Sequence, residues 1–73
     1  MDVVAGHTYN FRRHNGTSFD AKVMGELDRD QRVPVTIYKH YDANGNPIKT
    51  PVDLQYDLIT PSTYTIEEID DAS

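Results

Sequence analysis

The chain has 73 residues, with 12 acidic side chains against 7 basic ones and a net charge of −5. That length holds one domain, and 37% apolar with 26% charged residues is a globular mixture rather than a disordered or fibrous one. The lack of cysteine excludes disulfides, thiolate metal sites and thiol nucleophiles; the longest apolar run, Val3-Val4-Ala5, is too short for a membrane span or signal-peptide core, so a soluble cytoplasmic domain is expected.

The dominant hydropathy period is two. His7, Tyr9 and Phe11 alternate with Thr8, Asn10 and Arg12, predicting a first strand with those three rings on its core side. Asn15-Gly16 is a hairpin signal. A two-residue loop would pair His14 with Thr17 and send the apolar faces of the two flanking strands to opposite sides. A three-residue loop pairs Arg13 with Thr17, sets Phe11 against Phe19 and Tyr9 against Ala21, and puts Gly16 in a left-handed conformation. The three-residue loop is therefore expected.

The second strand runs Phe19, Ala21, Val23, Gly25, Leu27 on its apolar face, and the third runs Val33, Val35, Ile37. Aligning Leu27 with Val33 pairs Gly25 with Val35 and Val23 with Ile37, and sets Asp28 opposite Arg32 across the turn, a pair worth ~0.2–1 kcal/mol. On the outer face this register predicts the rows Arg12–Ser18–Asp42, Asn10–Asp20–His40 and Thr8–Lys22–Tyr38. Asp42-Ala43-Asn44-Gly45-Asn46-Pro47 is a cluster of turn residues. A fourth strand is predicted with Val52, Leu54, Tyr56 and Leu58 inward, then a single helical turn at Thr60–Tyr64. A short fifth strand spans Tyr64–Ile69, followed by an acidic, frayed tail at 70–73. The expected fold is all-β: one domain over residues 1–69, five strands, with a one-turn 3-10 element before the last.

Pro61-Ser62-Thr63-Tyr64-Thr65 resembles the Pro-Ser-x-Tyr-Val segment that ends the signalling SH3 domains. Together with the strand order, the resemblance implies an SH3-like small barrel. The chain has no tryptophan and no Ala-Leu-Tyr-Asp-Tyr segment, so the proline-peptide groove of that family is not carried over.

Catalysis finds little support. Ser18 and Ser62 have no nucleophile fingerprint, and the carboxylate pairs Glu67-Glu68 and Asp70-Asp71 are adjacent in sequence near the tail, the wrong setting for a raised pKa. His7, His14 and His40 match no metal-binding spacing. In Asp42–Asn46 the glycine falls fourth and Asp53 twelfth, unlike a calcium loop with glycine at six and glutamate at twelve. No enzyme activity, metal or cofactor is expected.

Charge is unevenly spread. Residues 1–49 hold six acids and seven bases; residues 50–73 hold Asp53, Asp57, Glu67, Glu68, Asp70 and Asp71 and no base. Such a field favours a basic partner surface and repels nucleic acid. The first expectation is a non-catalytic interaction module whose contact residues are those six acids, with Tyr38 and Tyr64 as aromatic anchors. Its partner would be a larger protein with a basic surface, such as a nucleic-acid-processing enzyme. In size, acidity and lack of cysteine the chain resembles bacteriophage host-takeover proteins, including inhibitors of host RNA polymerase. That resemblance implies action in the host cytoplasm. The alternative is a small nucleic-acid-binding barrel using Arg12, Arg13 and Lys22 beside Tyr9, Phe11 and Tyr38. A structural piece of a viral assembly, contacting through its sheet edges, fits the same sequence.

Overall fold

A computed structural model describes residues 3–49 and 55–69. The fold is all-β: β1 (Thr8–Arg12), β2 (Ser18–Val23), β3 (Val33–Tyr41), β4 (Pro47–Ile48), β5 (Gln55–Ile59), a 3-10 turn (Pro61–Thr63) and β6 (Thr65–Glu68). All pairings are antiparallel, in the order β4-β3-β2-β1-β6, with β5 beside β3 on the flank that β4 also uses. The expected five strands gain a sixth, β4, because the loop after β3 folds back as a hairpin and pairs Ile48 with His40. Among the described residues β5 and β6 do not pair, so the sheet curls without closing into a barrel.

Three hairpin turns share one geometry: Arg13–Thr17, Asp28–Arg32 and Asp42–Asn46. In each, the first residue donates its N–H to the fifth residue's carbonyl and accepts at its own carbonyl from the N–H of the fourth. The fourth residue is left-handed every time: Gly16 at φ 93°, Gln31 at 62° and Gly45 at 83°. Glycine adopts that conformation without a Cβ clash; glutamine does so at a cost of about 1–2 kcal/mol. Asp28 offsets this with a side-chain oxygen that accepts two backbone N–H groups of its own turn, and Asp42 makes the same two bonds in its glycine-bearing turn. The hydrogen bond from the Arg32 N–H is the leading reason why Asp28 titrates below the ordinary carboxylate range.

The first hairpin has the expected register, Phe11 on Phe19 and Tyr9 on Ala21. His7 departs from expectation. Its backbone carbonyl accepts from Val23, but its side chain is about half exposed, because the chain turns at Val4–His7 and β1 begins only at Thr8.

The second hairpin is shifted by two residues: Val35 pairs with Val23 and Ile37 with Ala21, where the sequence suggested Gly25 and Val23. Pro34 has no N–H to offer the ladder, and its ring sits where a Cβ on Gly25 would come within 3.1 Å of it. The last bond across this pair therefore runs from Met24 N–H to Pro34 O, and Gly25 to Leu27 leave the sheet, with Leu27 exposed. Asp28 and Arg32 still meet across the turn, at 3.7 Å. A two-residue shift preserves which side faces inward. A bulge between Asp20 and Ala21 does not: Tyr38 becomes the extra residue, and Phe19 meets His40 rather than Tyr41. The outer rows are accordingly Arg12–Ser18–Tyr41, Asn10–Asp20–Lys39 and Thr8–Lys22–Thr36.

β5 corrects a third expectation. Its register, Val33 on Ile59 and Thr36 on Tyr56, sends Ile59 into the core and turns Tyr56 and Leu58 outward, 76% and 49% exposed. Val52, Leu54 and the tail at 70–73 lie outside the described residues. The core is Tyr9, Phe11, Phe19, Ala21, Val23, Val33, Val35, Ile37 and Ile59, with Val3, Tyr64 and Ile66 packed on its margin.

Candidate functional site

Pairing with β1 puts Glu67 of β6 on the outer face and Glu68 on the side that Tyr9 faces. Glu67 is opposite Asn10 and Glu68 opposite Tyr9, so Glu67 joins the outer row that continues through Asn10 and Asp20 to Lys39. A cleft of about 560 Å³ opens there, lined by Asn10, Asp20, Tyr41, Glu67, Glu68 and Ile69 among others. Asp20 and Glu67 bring carboxylates to it, the Glu68 carboxylate lies beside His7 instead, and no cation is among its described lining residues.

Asp20 is the organised group of this cleft. One carboxylate oxygen accepts from Asn10 Nδ2 at 2.9 Å and the other from the Tyr41 hydroxyl at 2.8 Å. The hydrogen bond to Asp20 is the main cause of a raised Tyr41 pKa, and partial burial adds to it. Lys39, opposite Asp20, lies with its Nζ 5.6 Å from the centre of the Tyr41 ring. Glu68 approaches His7 at 3.6 Å, an exposed pair of small energetic weight.

The other expected contact residues lie elsewhere. Asp57 is on β5, at the opposite flank of the sheet, where its carboxylate accepts from the Leu58 N–H at 2.8 Å. Tyr38 is in the β3 bulge, 48% exposed. Tyr64 is half-buried and packs edge-on against Phe11 and Phe19, with ring centres 5.8 and 5.5 Å away; it serves the core margin more than a contact surface. Asp53, Asp70 and Asp71 lie outside the described residues. Asp20 and Tyr41 are the members that sequence reasoning missed, because only the bulged register brings them together.

The basic residues do not form a second platform. Arg13 lies over the Phe19 ring at 5.0 Å and donates to Thr17 Oγ1 at 3.3 Å, Arg12 is exposed at the end of β1, and Lys22 sits in another row on β2. Tyr9 and Phe11, which a nucleic-acid face would need for stacking, are at most 1% exposed. Among the described residues no three His, Asp or Glu side chains come close enough to hold a metal ion, and no helix is long and apolar enough to cross a membrane.

No protein-family model matches the chain, and no curated protein or solved structure shows significant similarity to it.

Proposed function

We propose that this chain is a non-catalytic interaction domain that docks its acidic β6 flank on a basic surface of a larger protein. The carrying observation is the cleft where Asp20 and Glu67 share one outer row without a cation among its described lining residues. Asn10 and Tyr41 hold Asp20 in place, so one charge of the two is preorganised before a partner arrives. The charge asymmetry supports the same direction, since the field steers a basic surface toward this flank.

In this reading the architecture is an SH3-like small barrel left open between β5 and β6. The partner is a nucleic-acid-processing enzyme such as RNA polymerase, whose basic grooves suit an acidic ligand. The setting is the cytoplasm, that of the host if the chain is viral, and the effect is inhibition or regulation.

The test is affinity capture from a nuclease-treated bacterial lysate, comparing the intact chain with a Glu67→Lys, Glu68→Lys variant that circular dichroism shows to be folded. One large protein retained by the intact chain and lost by the variant supports docking through β6. Equal retention by both removes the acidic flank from the account. Nucleic acid captured without nuclease, and nothing with it, transfers the function to Arg12, Arg13 and Lys22.

A further inference from the structure

The sheet has two outer edges among the described residues, and their backbone groups are differently placed. Pro34 O accepts from Met24 N, so residues 34 and 36 turn their backbone groups toward β2 while 33, 35 and 37 turn theirs toward β5. Gln55, Asp57 and Ile59 are then bonded to β3, and Tyr56 and Leu58 point their N–H and C=O groups away from the sheet. That edge is guarded: Leu58 N–H donates to the carboxylate of Asp57.

On the opposite edge, Ile69 N donates to Thr8 O, so Thr65, Glu67 and Ile69 face β1. Ile66 and Glu68 turn their N–H and C=O groups outward, and no side chain among the described residues caps them. Beside Ile66 lies a second cleft of about 500 Å³, lined by Val3, Leu27, Gln31, Tyr64 and Ile66 among others. Leu27 is 48% exposed on its far wall, and Val3 and Ile66 are only partly buried. An unpaired edge next to a slot that Val3, Leu27 and Ile66 line together with the polar Gln31, Ser62 and Thr65 is an arrangement that can accept an added strand: main-chain hydrogen bonds supply affinity and the slot takes an alternate side chain.

The charges select the occupant. β6 and the 3-10 turn before it carry two carboxylates and no cation. A second copy presenting its own β5 or β6 would set Asp57 or Glu67 and Glu68 against them, and facing like charges oppose pairing. A segment bearing lysine or arginine meets them favourably. Resting on the acidic-flank reading above, we propose that β6 takes up an extended basic segment of the partner as an added strand. One apolar side chain of that segment enters the cleft between Leu27 and Ile66, and its cations flank Glu67 and Glu68.

The experiment titrates the full-length ¹⁵N-labelled chain with three probes: an N-acetylated nonapeptide of alternating valine and lysine, the same peptide with glutamate for lysine, and the lysine peptide N-methylated on every second residue in either register. The expected result is binding of the lysine peptide alone, with amide exchange at Ile66 and Glu68 slowed tenfold or more and binding lost in one N-methylated register. Lysine-peptide binding that survives both methylations, with shifts centred on Asp20 and Glu67, overturns strand addition and leaves the acidic flank standing. Equal binding of the glutamate peptide overturns the basic partner while keeping the edge. Binding by none overturns both.

Discussion

The two longer edge strands of this sheet, β5 and β6, are secured by different means, and the difference marks which of them is closed to a partner. β5 is held to β3 along five residue pairs and sends a single large side chain, Ile59, into the core. Its exposed apolar residues, Tyr56 and Leu58, lie on the outer face, and Asp57 caps the outward N–H of Leu58. β6 is one residue shorter and sends Ile66 to the margin of an aromatic cluster in which Tyr64 packs edge-on to Phe11 and Phe19. Its outer edge has carboxylates nearby but no side-chain cap among the described residues. Both strands carry acid; only on β6 does it gather around a cleft.

Five variants break or sharpen this contrast. The largest effect is expected from Phe11→Ala, which removes the ring shared by β1, β2 and the 3-10 turn. Truncation of a buried phenylalanine costs about 3–5 kcal/mol, as much as a domain of this size holds in total. Circular dichroism should therefore show an unfolded chain at 25 °C, whereas a cooperative melt near the wild-type temperature would mean that the aromatic cluster does not anchor the β6 flank. Ile59→Ala should cost about 2–4 kcal/mol by urea unfolding, and Leu58→Ala next to it less than about 0.5 kcal/mol. The reverse order would restore the inward face that the sequence suggested.

Smaller effects concern the turns and the cleft. Gln31→Gly relieves a left-handed glutamine in a geometry its two sister turns give to glycine, and should stabilise by about 1 kcal/mol. No gain in urea midpoint would place compensating contacts on that side chain. For Asp20→Asn the readout is the Tyr41 titration followed at 295 nm. The phenol is held neutral in the folded chain, so this hydrogen bond contributes fully below the ordinary tyrosine pKa. The contribution is lost as pH rises through the raised value. Replacing the carboxylate by an amide should lower the midpoint toward the ordinary value; an unmoved midpoint would detach Tyr41 from Asp20.

How far the sequence carries the fold can be read from these strands. The first hairpin was legible because Asn15-Gly16 and the Tyr9, Phe11, Phe19, Ala21 alternation permit one register with all rings on one side. The second was misplaced by two residues because alternation does not see that Pro34 ends a ladder. The β3 bulge lies below the resolution of period-two reasoning, and with it went the partnership of Asp20 and Tyr41. β5 inverted because Leu58 and Ile59 are adjacent and both apolar: periodicity favoured the member aligned with Tyr56, and pairing with Val33 chose the other. Of the candidate site, Glu67 and Glu68 followed from charge alone, while Asp57, Tyr38 and Tyr64 shared its composition without sharing its place.

The most direct test of the account is a pair of affinities for the partner that capture retrieves, one for Glu67→Lys, Glu68→Lys and one for Asp57→Lys, each against the intact chain at the same salt concentration. The acidic β6 flank predicts a loss of tenfold or more in the first and less than twofold in the second. Equal losses would show that net charge alone drives the association and would contradict a docking surface at β6.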